Sequence, residues 1–105
     1  MPEITSEVDP SAADASVLSL RGELDVAVAR AVVEQGTAAL AASGGTLVVD
    51  LIDVTFMDSS ALGALVTIRN NAVALGRAVV VRNAQPAARR IFEITGLIDA
   101  FGLDD

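Results

Sequence analysis

The stretch LVVDLIDVTFMDSSALGAL, residues 47–65, sorts this chain into a fold class. Its first part, with Thr46, reads TLVVDLI over 46–52. That run is nearly continuous and β-branched, the pattern of a strand covered on both faces. Asp53 begins the turn that follows. From residue 60 to about 75 the period changes: Ala61, Ala64, Leu65, Ile68, Ala72 and Leu75 share one helical face, and Gly76 closes the helix. Between strand and helix stand Asp58, Ser59 and Ser60.

The same alternation extends outward in both directions. Upstream, 15–21 (ASVLSLR) reads as a strand and 3–8 as a fainter one, joined by a turn at Asp9-Pro10-Ser11. Gly22-Glu23-Leu24-Asp25 breaks the strand pattern, and Asp25 is placed to N-cap a helix over 26–43. On that helix Val28, Val32, Gly36, Ala39 and Leu40 share a face opposite Arg30, Glu34 and Gln35, and Ser43-Gly44-Gly45 ends it. Downstream, AVVVR (78–82) gives another buried strand. Pro86 opens a short helix that closes at Thr95-Gly96, and a last short strand is expected around Ala100-Phe101. Strands alternating with helices predict an α/β domain. Its sheet is mixed and mostly parallel, of four to five strands, with an antiparallel hairpin at its start.

Composition narrows the chemistry. A chain of 105 residues forms one domain with one modest core. Hydrophobic residues make up 52%, yet Phe56, Phe92 and Phe101 are the whole aromatic complement, so Val, Leu, Ile and Ala must build that core. No apolar run approaches the ~18 residues of a membrane span, and the acidic start MPEITSEVDP lacks the order of a signal peptide. The expected location is the cytoplasm. Net charge is -7, every cation is an arginine, and the first 20 residues carry four acids and no base. Direct binding to nucleic acid or an anionic membrane is therefore not expected. Without Cys or His there is no disulfide, thiolate chemistry, Ser-His-Asp triad or ordinary zinc site. Without lysine there is no phosphate-binding G-x-x-x-x-G-K-[ST] loop, and Gly44-Gly45 follows a helix rather than preceding one. Asp50, Asp53 and Asp58 hint at a magnesium site, but Asp50 lies inside a strand and Asp53 at its end. Arg89-Arg90 is most simply a solvated helix face. Neither a metal nor a cofactor is expected.

Two features remain open on the residues alone. Asp58, Ser59 and Ser60 either cap the helix, accepting hydrogen bonds from its unpaired N–H groups, or offer a hydroxyl as a chemical target. A helix N-terminus tolerates the negative charge of a phosphoryl group. The helix itself carries a second apolar stripe, Leu62, Val66 and Val73 beside Arg69, wider than a one-sided surface helix needs. Either it is wedged deeply in the core or Leu62 and Val66 face a partner.

Three segments together resemble a known family: GELDVAVA (22–29), LVVDLIDVTFMDSSALGAL (47–65) and RRIFEITGLIDAF (89–101). They are similar, in the same order and from about residue 15 onward, to the STAS domain, and within it to the bacterial anti-sigma factor antagonists. The resemblance implies a single STAS domain over 1–105 with helices mainly on one face of the sheet. It implies regulation rather than catalysis. The unmodified antagonist binds an anti-sigma factor, itself a GHKL-type serine kinase, and so frees a sigma factor; phosphorylation dissociates the pair and a serine phosphatase resets it. The implied acceptor is Ser59, with Ser60 second, on a partner-binding surface of Asp25, Asp58, Ser59, Ser60, Leu62, Val66 and Arg69. Other STAS domains serve lipid-transport or stress-sensing complexes, and nucleotide binding is the rival reading. Two departures stand out. Ala61 replaces a glycine found in some members, and the sequence stops at Asp105 without the family's further C-terminal helix. The latter change predicts poor cover for Leu97, Ile98 and Phe101 and hence a tendency to form homodimers.

Overall fold

The computed structural model describes residues 3–8, 15–42 and 44–103. Along them run β1 (Glu3–Val8), β2 (Ser16–Leu24), α1 (Val26–Ala42), β3 (Leu47–Met57), α2 (Ser59–Ala74), β4 (Val79–Arg82) and α3 (Pro86–Thr95). The sheet order is β1-β2-β3-β4; β1 lies antiparallel to β2, and β2, β3 and β4 are parallel. The turn expected at Asp9-Pro10-Ser11 lies outside the described residues, as does Ser43.

The mixed sheet holds four strands, three of them parallel, and the expected fifth is corrected: the segment around Ala100-Phe101 is no strand. The amide of Phe101 donates to the Leu97 carbonyl, and that of Leu103 to Ile98, so local bonds curl the chain into turns. One trace of sheet survives there, since Val81 donates its N–H to the Phe101 carbonyl at 2.8 Å. The expected lack of cover at the tail is corrected too. Phe101 is fully buried, edge-on to Phe92 with ring centroids 5.4 Å apart, and Leu97 and Ile98 are half-buried against the core. The tail supplies its own apolar plug.

β2 and β3 are both longer than their sequence patterns suggest. Instead of breaking the strand at Gly22 and turning at Asp53, they stay paired to Leu24 and Met57. The reason is two irregularities in the ladder. Ser19 to Arg21 faces Asp50 to Asp53, and Gly22 to Glu23 faces Val54 to Phe56, so β3 spends one extra residue each time. Its buried positions accordingly run Leu47, Val49, Leu51, then Val54 and Met57, in steps of two and then three. A reader applying period two loses the strand there. Gly22, next to the second shift, has φ 89°, a left-handed conformation that side-chain-bearing residues avoid. Val48 and Asp50, on the alternate positions, are only half-buried, so β3 is covered on one face rather than two.

The helices fill the covered face. α1 packs on α2 and β2, and α3 on β3. α1 buries Val32, Gly36, Ala39 and Leu40, the face its spacing predicted. Gly36 leaves room for the side chain of Ile68 on the facing helix: a Cβ there would overlap Ile68 Cδ1 and lie 2.7 Å from Ile68 Cγ1. Gly36→Val is therefore expected to destabilise by about 1–3 kcal/mol through overpacking, because fully buried Ile68 has nowhere to retreat. Equilibrium urea unfolding measures it; unchanged stability would mean the helices separate freely.

α1 ends without a basic residue in its last turn. Arg77 supplies the charge from beyond α2, donating Nε to the Gly45 carbonyl at 2.8 Å and Nη1 to the Leu40 carbonyl. These bonds satisfy carbonyl groups at and just beyond the helix end that would otherwise lack donors.

Candidate functional site

The site grows out of the parallel pairing of β2 and β3. Leu24 and Met57 are register partners, and Asp58 donates its backbone N–H to the Leu24 carbonyl at 3.1 Å. The two chains then leave the sheet side by side, each through an aspartate into a helix. Asp25 accepts from the Ala27 N–H at 3.0 Å, Asp58 from the Ala61 N–H at 3.0 Å. Asp58 holds an extended backbone (φ -109°, ψ -178°), and its own carbonyl accepts from Leu62 to close the first turn. Both are standard N-caps. Two helix N-termini, with their partial positive ends, thus meet at one edge of the molecule.

Ser59 occupies the first position of α2 and is exposed; Ser60, next in the turn, is half-buried. Since Asp58 makes the cap, the serines are not required for it. Removing the cap should cost stability: Asp58→Ala is expected to lose about 0.5–2 kcal/mol, whereas Asp58→Asn, which keeps an acceptor oxygen, retains most of it. Paired thermal melts check this, and equal losses for Ala and Asn would show that charge, not the hydrogen bond, matters.

The structure gathers some of the expected site residues and disperses others. Asp25, Asp58, Ser59 and Ser60 share the rim. Leu62 does not belong to a partner-facing surface: it is 4% exposed and part of the core. The wide apolar arc of α2 exists because the helix is wedged between the sheet and α1, whose approach Gly36 permits. Val66 is half-buried and packs on the same core. Arg69 lies ten residues along α2 from Ser59, about 15 Å at 1.5 Å per residue. Its Nε donates to the Ala100 carbonyl at 3.0 Å, so it ties the tail to the helix.

The carboxylates considered for a metal are each engaged separately. Asp50 accepts from the Ile52 N–H and Asn83 Nδ2 and pairs with Arg82, and Asp53 pairs with Arg21 at 3.2 Å. Among the described residues no group of three His, Cys, Asp or Glu could hold an ion, and no helix is long and apolar enough to cross a membrane.

Two rim residues escaped the sequence reading. Val26, the first residue of α1, is 73% exposed, and Phe56, just before the end of β3, is 47% exposed. The available signal for Phe56 was that it falls outside the 51, 54, 57 spacing of buried positions. That signal is legible only once the ladder irregularities are known.

The family model described as "Mlab, STAS domain" matches residues 8–103, nearly the whole chain. The chain belongs to the STAS domain family. Among solved STAS structures, the crystal structure of an anti-sigma factor antagonist from Mycobacterium paratuberculosis is 33% identical, with a TM-score of 0.80 over 98% of this chain and 85% of that one. A putative anti-sigma factor antagonist from Thermotoga maritima superimposes at a TM-score of 0.84 with 19% identity, over 97% and 86% of the two chains. The Bacillus cell fate determinant SpoIIAA in its phosphorylated form gives 0.67 with 21% identity, over 96% and 92%. These last two share the STAS fold. Anti-sigma factor antagonists, a regulatory family, recur among the structural neighbours. Part of the murine anion transporter Slc26a9 shares the fold as well, with a TM-score of 0.73 and 16% identity over 93% of this chain and 18% of that one.

Proposed function

We propose that this protein is a phosphorylation-controlled anti-sigma factor antagonist. Unmodified, it binds an anti-sigma factor that is a GHKL-type serine kinase, and so frees a sigma factor. Modified on Ser59, it lets go, and a serine phosphatase resets it. It works by protein contact in the cytoplasm, without touching nucleic acid. The observation that carries this reading is the division of labour at the start of α2: Asp58 caps the helix, and Ser59 stands exposed beside it with no capping duty. The family membership and the 33% identity to an anti-sigma factor antagonist point the same way.

Phosphoryl transfer explains how one site both binds and releases. The acceptor hydroxyl must stand in line with the γ-phosphate of ATP, close to the kinase's proton-accepting group. After transfer, phosphoserine would face the β-phosphate of ADP and that acidic group across a closed interface. Its added charge of about -1.5 to -2 meets like charge there.

The test is affinity capture on the unmodified protein followed by incubation of the captured partner with ATP. Mass spectrometry should place one phosphate on Ser59. Capture of a transporter ATPase that transfers no phosphate would move the protein to the lipid-transport reading, and nucleotide retained by the isolated chain would favour a nucleotide-binding module.

A further inference from the structure

We propose that Val26 and Phe56 are the apolar anchors by which the kinase holds this rim, and that the kinase seats them in an apolar recess ringed by Lys and Arg. The proposal rests on the partner-switching reading above and says what that partner's surface must look like.

Six large hydrophobic side chains are exposed among the described residues: Val26, Ile52, Phe56, Val73, Leu75 and Ile94. Only Val26 and Phe56 flank the paired helix starts. Val26 and Ser59 hold the same first position in α1 and α2, which leave the sheet from the neighbouring ends of β2 and β3. Phe56 is the register partner of Glu23 and stands three residues before Ser59. Phe56 alternates with buried Met57 and so stands on the uncovered face of the sheet, whereas Val26 opens a helix on the covered face; a partner that closes over Ser59 and spans this edge of the sheet reaches both. Aromatic groups surrounded by contacts that exclude water are the usual centres of binding energy.

The rim charge fixes the partner's complement. Glu23 and Asp25 lie on one exit from the sheet and Asp58 on the other, within a chain of net charge -7. The cations on the flanking strand and helix are already committed, Arg21 to Asp53 and Arg30 to Glu34, each at 3.2 Å. The acids left on the rim, Glu23 and the two capping aspartates, are complemented by cations on the partner. Such charges act mainly on the association rate and on the choice of partner.

The decisive measurement is calorimetric binding of the purified kinase in its ADP-bound form, so that no phosphate moves. Val26→Ser and Phe56→Thr should each weaken binding at least about tenfold with unchanged melting temperature. Val73→Ser, about 21 Å along α2 from Ser59, should bind as wild type. In stopped-flow mixing of the same pair, Glu23→Lys should slow association, and raising the ionic strength from ~0.05 M to ~0.5 M should do the same to wild type. If Val26→Ser and Phe56→Thr bind normally, or Val73→Ser loses as much as they do, the anchors are misassigned while the switching reading stands. If wild type neither binds a GHKL-type kinase nor accepts phosphate from one, both fall together.

Discussion

Ser59→Ala should bind the kinase with near wild-type affinity and remain bound when ATP is added, whereas Ser59→Asp should fold and bind poorly. The physical reason lies in where the charge would go. Ser59 is exposed in the free protein, at a helix start whose dipole offsets about 0.3–1 kcal/mol of added negative charge, so modification spares the fold. Buried against a partner, the same charge must be stripped of water, and an unpaired buried charge costs several kcal/mol. A penalty of about 3 kcal/mol is more than 100-fold in affinity. Asp carries one charge and a shorter reach than phosphoserine, so it should reproduce part of the loss rather than all of it. Binding isotherms with and without ATP, together with phosphate incorporation, test this directly. Ser60→Ala serves as the control and should be phosphorylated normally. Should Ser60→Ala abolish incorporation and Ser59→Ala leave it untouched, the acceptor is the half-buried serine. Should neither change anything, the rim is a capping structure without a switch.

Leu62→Ala is expected to cost about 2–5 kcal/mol of folding stability, the range for truncating a buried leucine. Leu62 is 4% exposed and sits in one continuous core with Leu65, Ile68 and the sheet residues Leu51 and Val54. Its neighbours Ala61 and Ala64 are too small to expand into the void. Domains of this size are stable by only about 5–15 kcal/mol, so the loss is a large share of the total. At roughly 4–8 °C per kcal/mol, the melting temperature should fall by at least about 8 °C. Weak partner binding by such a variant would report unfolding, not a lost contact. A melt within a degree or two of wild type would place Leu62 back on the surface.

How much of this was legible in the residues can be seen by following single positions. The buried face of α1 was readable because Val32, Gly36, Ala39 and Leu40 recur at helical spacing, and that periodicity is a property of one element alone. The cap of α1 was readable for the same reason, since Asp25 acts on an amide two residues ahead of itself; at α2 the residues left Asp58 and Ser59 both open, and the bond from the Ala61 N–H decides for Asp58. Gly96 closing α3 at φ 74° is another local necessity, since Gly costs least in a left-handed C-cap.

What the sequence determined by itself was therefore the local order: strand, cap, helix, and an exposed position for serine at a helix start. Only the tertiary structure decided which of these starts are neighbours. Leu24 pairing with Met57 is what sets Asp25 beside Asp58, and nothing near either residue encodes it. Tertiary packing likewise decided Leu62, whose stripe on α2 fits a surface or a core equally well until the core closes around it. It decided the tail, where Phe101 leaves the expected strand to fill the core against Phe92. In each case the missing term is a contact between residues far apart in the chain, and burial, unlike periodicity, depends on what arrives from elsewhere.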